Sequence, residues 1–105
     1  FYPNIPVEHY PGQALVCELY KMGGIRCVEV GSVMFGKYDD KGKLIPAPME
    51  LVRLAIPRRV YTQSHIDFVI EVFDEVIKAK DSARGLRITH EPHFLRHFTA
   101  QFELI

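Results

Sequence analysis

The 105-residue chain reads as a single α+β domain, an open two-layer sandwich of helices on a sheet. Three observations predict it. An amphipathic helical pattern runs from Ser64 to Ile77, short alternating strands lie on both sides of it, and several strands carry one polar face. A hydrophobic content of 48% with 25% charged residues is ordinary for a globular chain, and the length suffices for a modest core.

Phe1 to Tyr10 holds Pro3 and Pro6 and shows no period, which predicts an extended leading arm. Pro11 suits a first helical turn, Leu15, Leu19 and Met22 recur at helical spacing, and Gly23-Gly24 supplies a left-handed stop. Ile25 to Phe35, rich in Val, Ile and Met, predicts a strand in which Gly31 marks a bulge or a close approach by another group. Its faces would be Arg26, Val28, Val30 and Ser32 against Ile25, Cys27 and Glu29. Lys37 to Pro48 turns to Lys, Asp, Gly and Pro, an exposed loop.

A second strand follows from Leu51 and stops at Pro57. Val52, Leu54 and Ile56 point one way, while Leu51, Arg53 and Ala55 point the other. Ser64 with Asp67 forms a capping box, so the long helix is expected to start there. Ile66, Val69, Ile70, Phe73, Val76 and Ile77 would be its core stripe. Leu86 to Glu91 alternates as a strand with a mostly charged face, and Pro92 to His97 reads as a short helical turn. In the last strand Phe98, Ala100, Phe102 and Leu104 would share one face.

Several function classes are excluded. Thirteen basic and thirteen acidic residues cancel, with a pI near 7.1, so no nucleic acid or anionic membrane is an expected partner. No apolar run is long enough to cross a bilayer, and no basic head precedes an apolar run as in a signal peptide. Cys17 and Cys27 lack a CxxC spacing and fit a reducing, cytoplasmic setting. His90, His93 and His97 lie close together beside Glu91, but Pro92 separates the first from the others and no fourth ligand stands out, so no metal site is expected. Asp39-Asp40 lacks an EF-hand register. Ser32, Ser64, Cys17 and Cys27 sit in no nucleophile setting. Arg53 has two readings. It is a solvated or ion-paired strand arginine, or an anion-binding one presented on a rigid element toward something outside the domain.

A set of motifs weighs on that choice: Tyr10-Pro-Gly-Gln-Ala-Leu15, Val28-Glu-Val-Gly31, Leu54-Ala-Ile-Pro57, Tyr61-Thr-Gln63, Gly85-Leu86, Glu91-Pro92 and Leu95-Arg-His-Phe-Thr-Ala100. In combination they resemble the pyridoxal-phosphate-dependent β-eliminating lyases, the family of tryptophanase and tyrosine phenol-lyase. The resemblance runs from Tyr10 to Phe102, with Gly12 where the family usually has alanine.

It implies that residues 1–105 form the small C-terminal domain of a fold-type-I enzyme, with a large domain upstream of Phe1 carrying the cofactor lysine. None of Lys21, Lys37, Lys41, Lys43, Lys78 or Lys80 follows the family's Ser-x-Lys setting, so the fragment alone should be inactive. Pyridoxal 5′-phosphate, a monovalent cation such as K+ and a homotetramer are implied for the whole enzyme. Arg53 would hold the substrate's α-carboxylate. Phenol-lyases carry arginine and phenylalanine where this chain has Val30 and His97, whereas tryptophanases carry an apolar residue and histidine. The resemblance therefore implies L-tryptophan as substrate, with Val30 as pocket wall, His97 in the indole pocket and Phe98 beside it. An indole offers a broad apolar face and one N–H donor, which suits an apolar wall with one imidazole. The alternatives are a tyrosine phenol-lyase or cysteine desulfhydrase specificity, or a free-standing α+β binding module without chemistry.

Overall fold

The computed structural model describes residues 1–92 and 96–105. It is an α+β domain with α1 (Pro11–Gly23), β1 (Val28–Val30), α2 (Ser32–Phe35), β2 (Lys37–Tyr38) and β3 (Leu44–Ile45). Then come β4 (Leu51–Arg53), α3 (Gln63–Lys78), β5 (Leu86–His90), α4 (Arg96–Thr99) and β6 (Gln101–Leu104). The strands pair antiparallel as three two-stranded ribbons, β1–β4, β2–β3 and β5–β6.

The core lies where α1 crosses α3 over the β5–β6 ribbon. Leu15 and Leu19 of α1 meet Val72 and Val76 of α3 and Leu86 of β5. Leu19 is fully enclosed, and a side chain of that size contributes about 1.5–3 kcal/mol by leaving water. Gly23 sets the crossing distance, since a Cβ there would fall 2.6 Å from a Val72 methyl. Gly24, left-handed at φ 64°, ends the helix as its position predicts.

The leading arm departs from expectation. Tyr2 and Ile5 are buried in the core, and Val7–His9 forms a 3₁₀ turn rather than extended chain. Aromatic and branched side chains without a period still bury where a cleft receives them. Tyr10, left-handed at φ 55°, swings the chain into α1 and sets its ring edge-on to Phe102 at 6.3 Å.

The first strand is shorter than expected. Only Val28–Val30 pair with β4, and Ser32–Phe35 coil into one helical turn. Local β-propensity gives way here to two carboxylates that capture the backbone amides of that turn. The loop from Lys37 holds the β2–β3 hairpin, whose turn is closed by Asp39 Oδ1 accepting from the amides of Lys41 (2.9 Å) and Lys43 (2.8 Å). The strand from Leu51 ends at Arg53.

The long helix starts earlier than Ser64. Thr62 is the cap, and His65 Nδ1 accepts the Thr62 amide at 3.0 Å, so the reciprocal box is Thr62 with His65. Val72, absent from the expected stripe, is buried, while Ile70 and Ile77 are exposed. The helix is therefore rotated on its axis relative to the periodic reading, because it packs against Gly23 of α1. The last strand begins at Gln101. Phe98 belongs to α4, its side chain largely exposed. His93 and the motif residue Leu95 lie outside the described residues.

Candidate functional site

The β1–β4 ribbon presents two unlike faces. Its register sets Val28 opposite Arg53 and Val30 opposite Leu51, and directly paired residues point to the same side. Val28, Leu51 and Arg53 are exposed and Val30 is half-buried, so this is the outer face. Glu29 and Val52, also paired, form the inner face against α1. The expected alternation at Arg53 holds, with its guanidinium on the open side. In the preceding segment Glu29 and Cys27, not Val28, face inward.

α4 brings two further expected residues to the same ribbon. His97 and Phe98, with ring centroids 4.2 Å apart, join Val16, Cys27, Val28 and Glu29 around a concavity of about 180 Å³. Nδ1 of His97 is buried and has no hydrogen-bond partner among the described residues. Val28 thus lines this concavity and stands directly across from Arg53. Val30 and Arg53 do not line it. They lie along the outer face beside it. A larger groove of about 340 Å³ between α1 and α3, lined by Ile25, Ile56, Tyr61 and Phe68, holds none of the expected residues.

Beneath the outer face lies a polar cluster that sequence reading missed. Glu29, 3% exposed, accepts the Val33 amide at 2.9 Å, while its other oxygen has no partner among the described residues. Glu50 accepts the Ser32 amide at 3.1 Å and the Ser32 hydroxyl. Both carboxylates crowd Gly31, where any Cβ would collide with Glu29 Oε1 and Glu50 Oε2. This is the close approach that Gly31 foreshadowed.

Burial, and next the charge of Glu50, push the Glu29 carboxyl up to about 7, against the opposing pull of the Val33, Met34 and Gly31 amides. On the other side of α2, Arg96 donates from Nε to the Val33 carbonyl at 2.6 Å and from Nη2 to the Ser32 carbonyl. Its Nη1 pairs with Glu91 at 3.0 Å, and the guanidinium lies over the Tyr38 ring at 5.4 Å. A glutamate in an apolar strand next to glycine and serine was the available signal. It reads as surface alternation until α2 is seen to fold over it.

No protein-family model matches the chain. Against curated proteins, it is 58% identical over 103 residues to the tryptophanase of Hyphomonas neptunium, covering 98% of this chain and 22% of that protein. It is 52% identical over 101 residues to the tryptophanases of Haemophilus influenzae strain 86-028NP and of Escherichia coli O157:H7, covering 96% of this chain and 21% of each. Over nearly its whole length the chain is similar to tryptophanases. It spans about a fifth of the length of the relatives it matches.

Two of the motifs that carry the likeness to tryptophanases come together in space. Glu29 and Gly31 of one and Arg96 and His97 of another meet at α2 and the β1 edge. Among the described residues there is no cluster of three or more His, Cys, Asp or Glu fit to hold a metal ion. No helix there is long and apolar enough to cross a membrane.

Proposed function

We propose that this chain is the substrate-recognising part of a pyridoxal-phosphate-dependent lyase that cleaves L-tryptophan to indole, pyruvate and ammonia. One observation carries the reading: Val28 stands opposite the exposed guanidinium of Arg53 and also walls the concavity of His97 and Phe98. An amino acid has a carboxylate and a side chain only a few bonds apart. A cation and an aromatic-lined hollow meeting at one residue suit that arrangement.

In this reading Arg53 grips the α-carboxylate by two parallel N–H···O bonds, which fixes rotation about the substrate's Cα. A single lysine ammonium lacks that planar fork. Val28 supplies the apolar wall, with Val30 extending it along the same strand face, Phe98 packs on the indole, and His97 addresses its polar edge. The apolar side chains left exposed on α3, Phe68, Ile70 and Ile77, would be covered by the remaining four fifths of a protein built like the relatives.

The described residues do not fit a pyridoxal-phosphate site. All six lysines are exposed and none lines the concavity. The cofactor, the K+ site and the contacts of a tetramer belong, in this proposal, to the rest of the protein.

The test is to isolate the native protein that contains this chain, record its intact mass and visible spectrum, and assay it with L-tryptophan, L-tyrosine and L-cysteine. Indole and pyruvate released in equal amounts from tryptophan, with the absorbance of bound cofactor, is the expected result. Phenol from tyrosine in preference, sulfide from cysteine without indole, or a native protein of 12.1 kDa without visible absorbance would overturn it.

A further inference from the structure

α4, which carries His97 and Phe98, is a single turn of four residues, Arg96–Thr99. One helical turn does not hold itself together, because nucleation fixes many dihedrals for one hydrogen bond. Its position must come from tertiary ties, and the tie on the page is Arg96. That side chain is only 11% exposed and spends its donors on three acceptors: the Val33 carbonyl, the Ser32 carbonyl and Glu91. Gly36 leaves the room, since a Cβ there would sit 2.9 Å from Nη2.

The turn that Arg96 grips is itself short and also held from outside. Its first amides are taken by Glu29 of β1 and by Glu50, which stands just before β4. A continuous chain of charge-assisted bonds therefore runs from Glu50, three residues before Arg53, through Ser32 and Val33 to Arg96, next to His97.

We propose that Arg96 is a positioning residue: through α2 it sets His97 and Phe98 at a fixed place relative to the strand that carries Arg53. The inference rests on the reading of His97 and Phe98 as the leaving-group pocket. Arg96 touches no substrate. It decides where the pocket lies with respect to the carboxylate grip, and so how well a large planar leaving group is held while the carboxylate is bound. A small leaving group scarcely senses the position of α4. Lysine keeps the charge but has no fork, so it cannot reach both carbonyls and Glu91 together.

The experiment uses the full-length enzyme with Arg96→Lys, His97→Phe and the double variant, each assayed on tryptophan and on an S-alkylcysteine. Arg96→Lys is expected to lower kcat/KM on tryptophan about 10-fold or more, while S-alkylcysteine changes by less than about 3-fold. In the His97→Phe background the further loss from Arg96→Lys should fall below about 2-fold, as for two changes acting through one group. Equal losses on both substrates would mark Arg96 as merely structural and overturn the proposal. So would a loss on tryptophan that is undiminished in the His97→Phe background. A His97→Phe variant that does not discriminate between the substrates overturns the pocket reading instead, whatever Arg96→Lys does, and the positioning role falls with it. If Arg96→Lys does not assemble, the same cycle is run with Glu50→Gln, which loosens the chain of bonds from its other end, and the same outcomes apply.

Discussion

The two sides of the β1–β4 ribbon are built on opposite rules. On the outer face, Val28, Leu51 and Arg53 are exposed, and Arg53 takes part in no ion pair among the described residues. On the inner side, Glu50 holds the Ser32 hydroxyl, and Glu29, Glu50 and Arg96 are all bonded to the backbone of α2. The contrast teaches a division of labour. The exposed guanidinium has no internal ion-pair partner among the described residues, while Glu29, Glu50 and Arg96 spend bonds on fixing the backbone beneath.

Changes on the outer face should therefore act on turnover with little effect on folding. Arg53→Lys in the full-length enzyme is expected to lower kcat/KM on tryptophan about 100-fold or more, since a two-bond carboxylate grip becomes a point charge. The cofactor spectrum should persist. An unchanged kcat/KM would remove Arg53 from the site.

His97→Phe reaches less far. A loss of about 10- to 100-fold on tryptophan, with S-alkylcysteine much less affected, is the expected outcome of losing one polar contact to the leaving group. Steady-state assays on both substrates check it.

The inner face should answer to pH through stability. The Glu29 carboxyl, raised from 4.5 to about 7, stays protonated in the fold over a range where the unfolded chain has lost its proton. Its favourable contribution is whole below the unfolded value and is lost as pH rises through the folded one. Unfolding free energy should thus decline between about pH 4.5 and 7, by on the order of 3 kcal/mol at most for a fully buried group. Glu29→Gln, which keeps the shape and cannot ionise, should flatten that decline in melts taken across the window. A slope that survives the substitution would assign it to another group.

The distinction between the faces also explains what could be read in advance. Arg53 is visible as a charge between Leu51 and Ala55 on an alternating strand, and the period of two depends on backbone geometry alone. Val30, His97 and Phe98 became candidates through motif likeness, and the meeting of His97 and Phe98 with Val28 could not be seen, because segments far apart in the chain are joined only by folding. The Glu29–Glu50–Ser32–Arg96 cluster was missed for the same reason. Each member has an ordinary surface explanation within its own segment.

By itself, the sequence determined the α+β class, the helix from Pro11 to its glycine stop, the strand at Leu86, and the likeness to the β-eliminating lyases. All of these depend on local propensity, on caps, or on residue identity along the chain. The tertiary structure decided which side of α3 is buried, that Tyr2 and Ile5 enter the core, and that the segment after Gly31 coils instead of extending. It also decided that Thr62 rather than Ser64 caps α3. The reason is common to these cases: each outcome depends on what a distant segment offers, a glycine for α3 to approach, a cleft for Tyr2, or a carboxylate for the amides of α2.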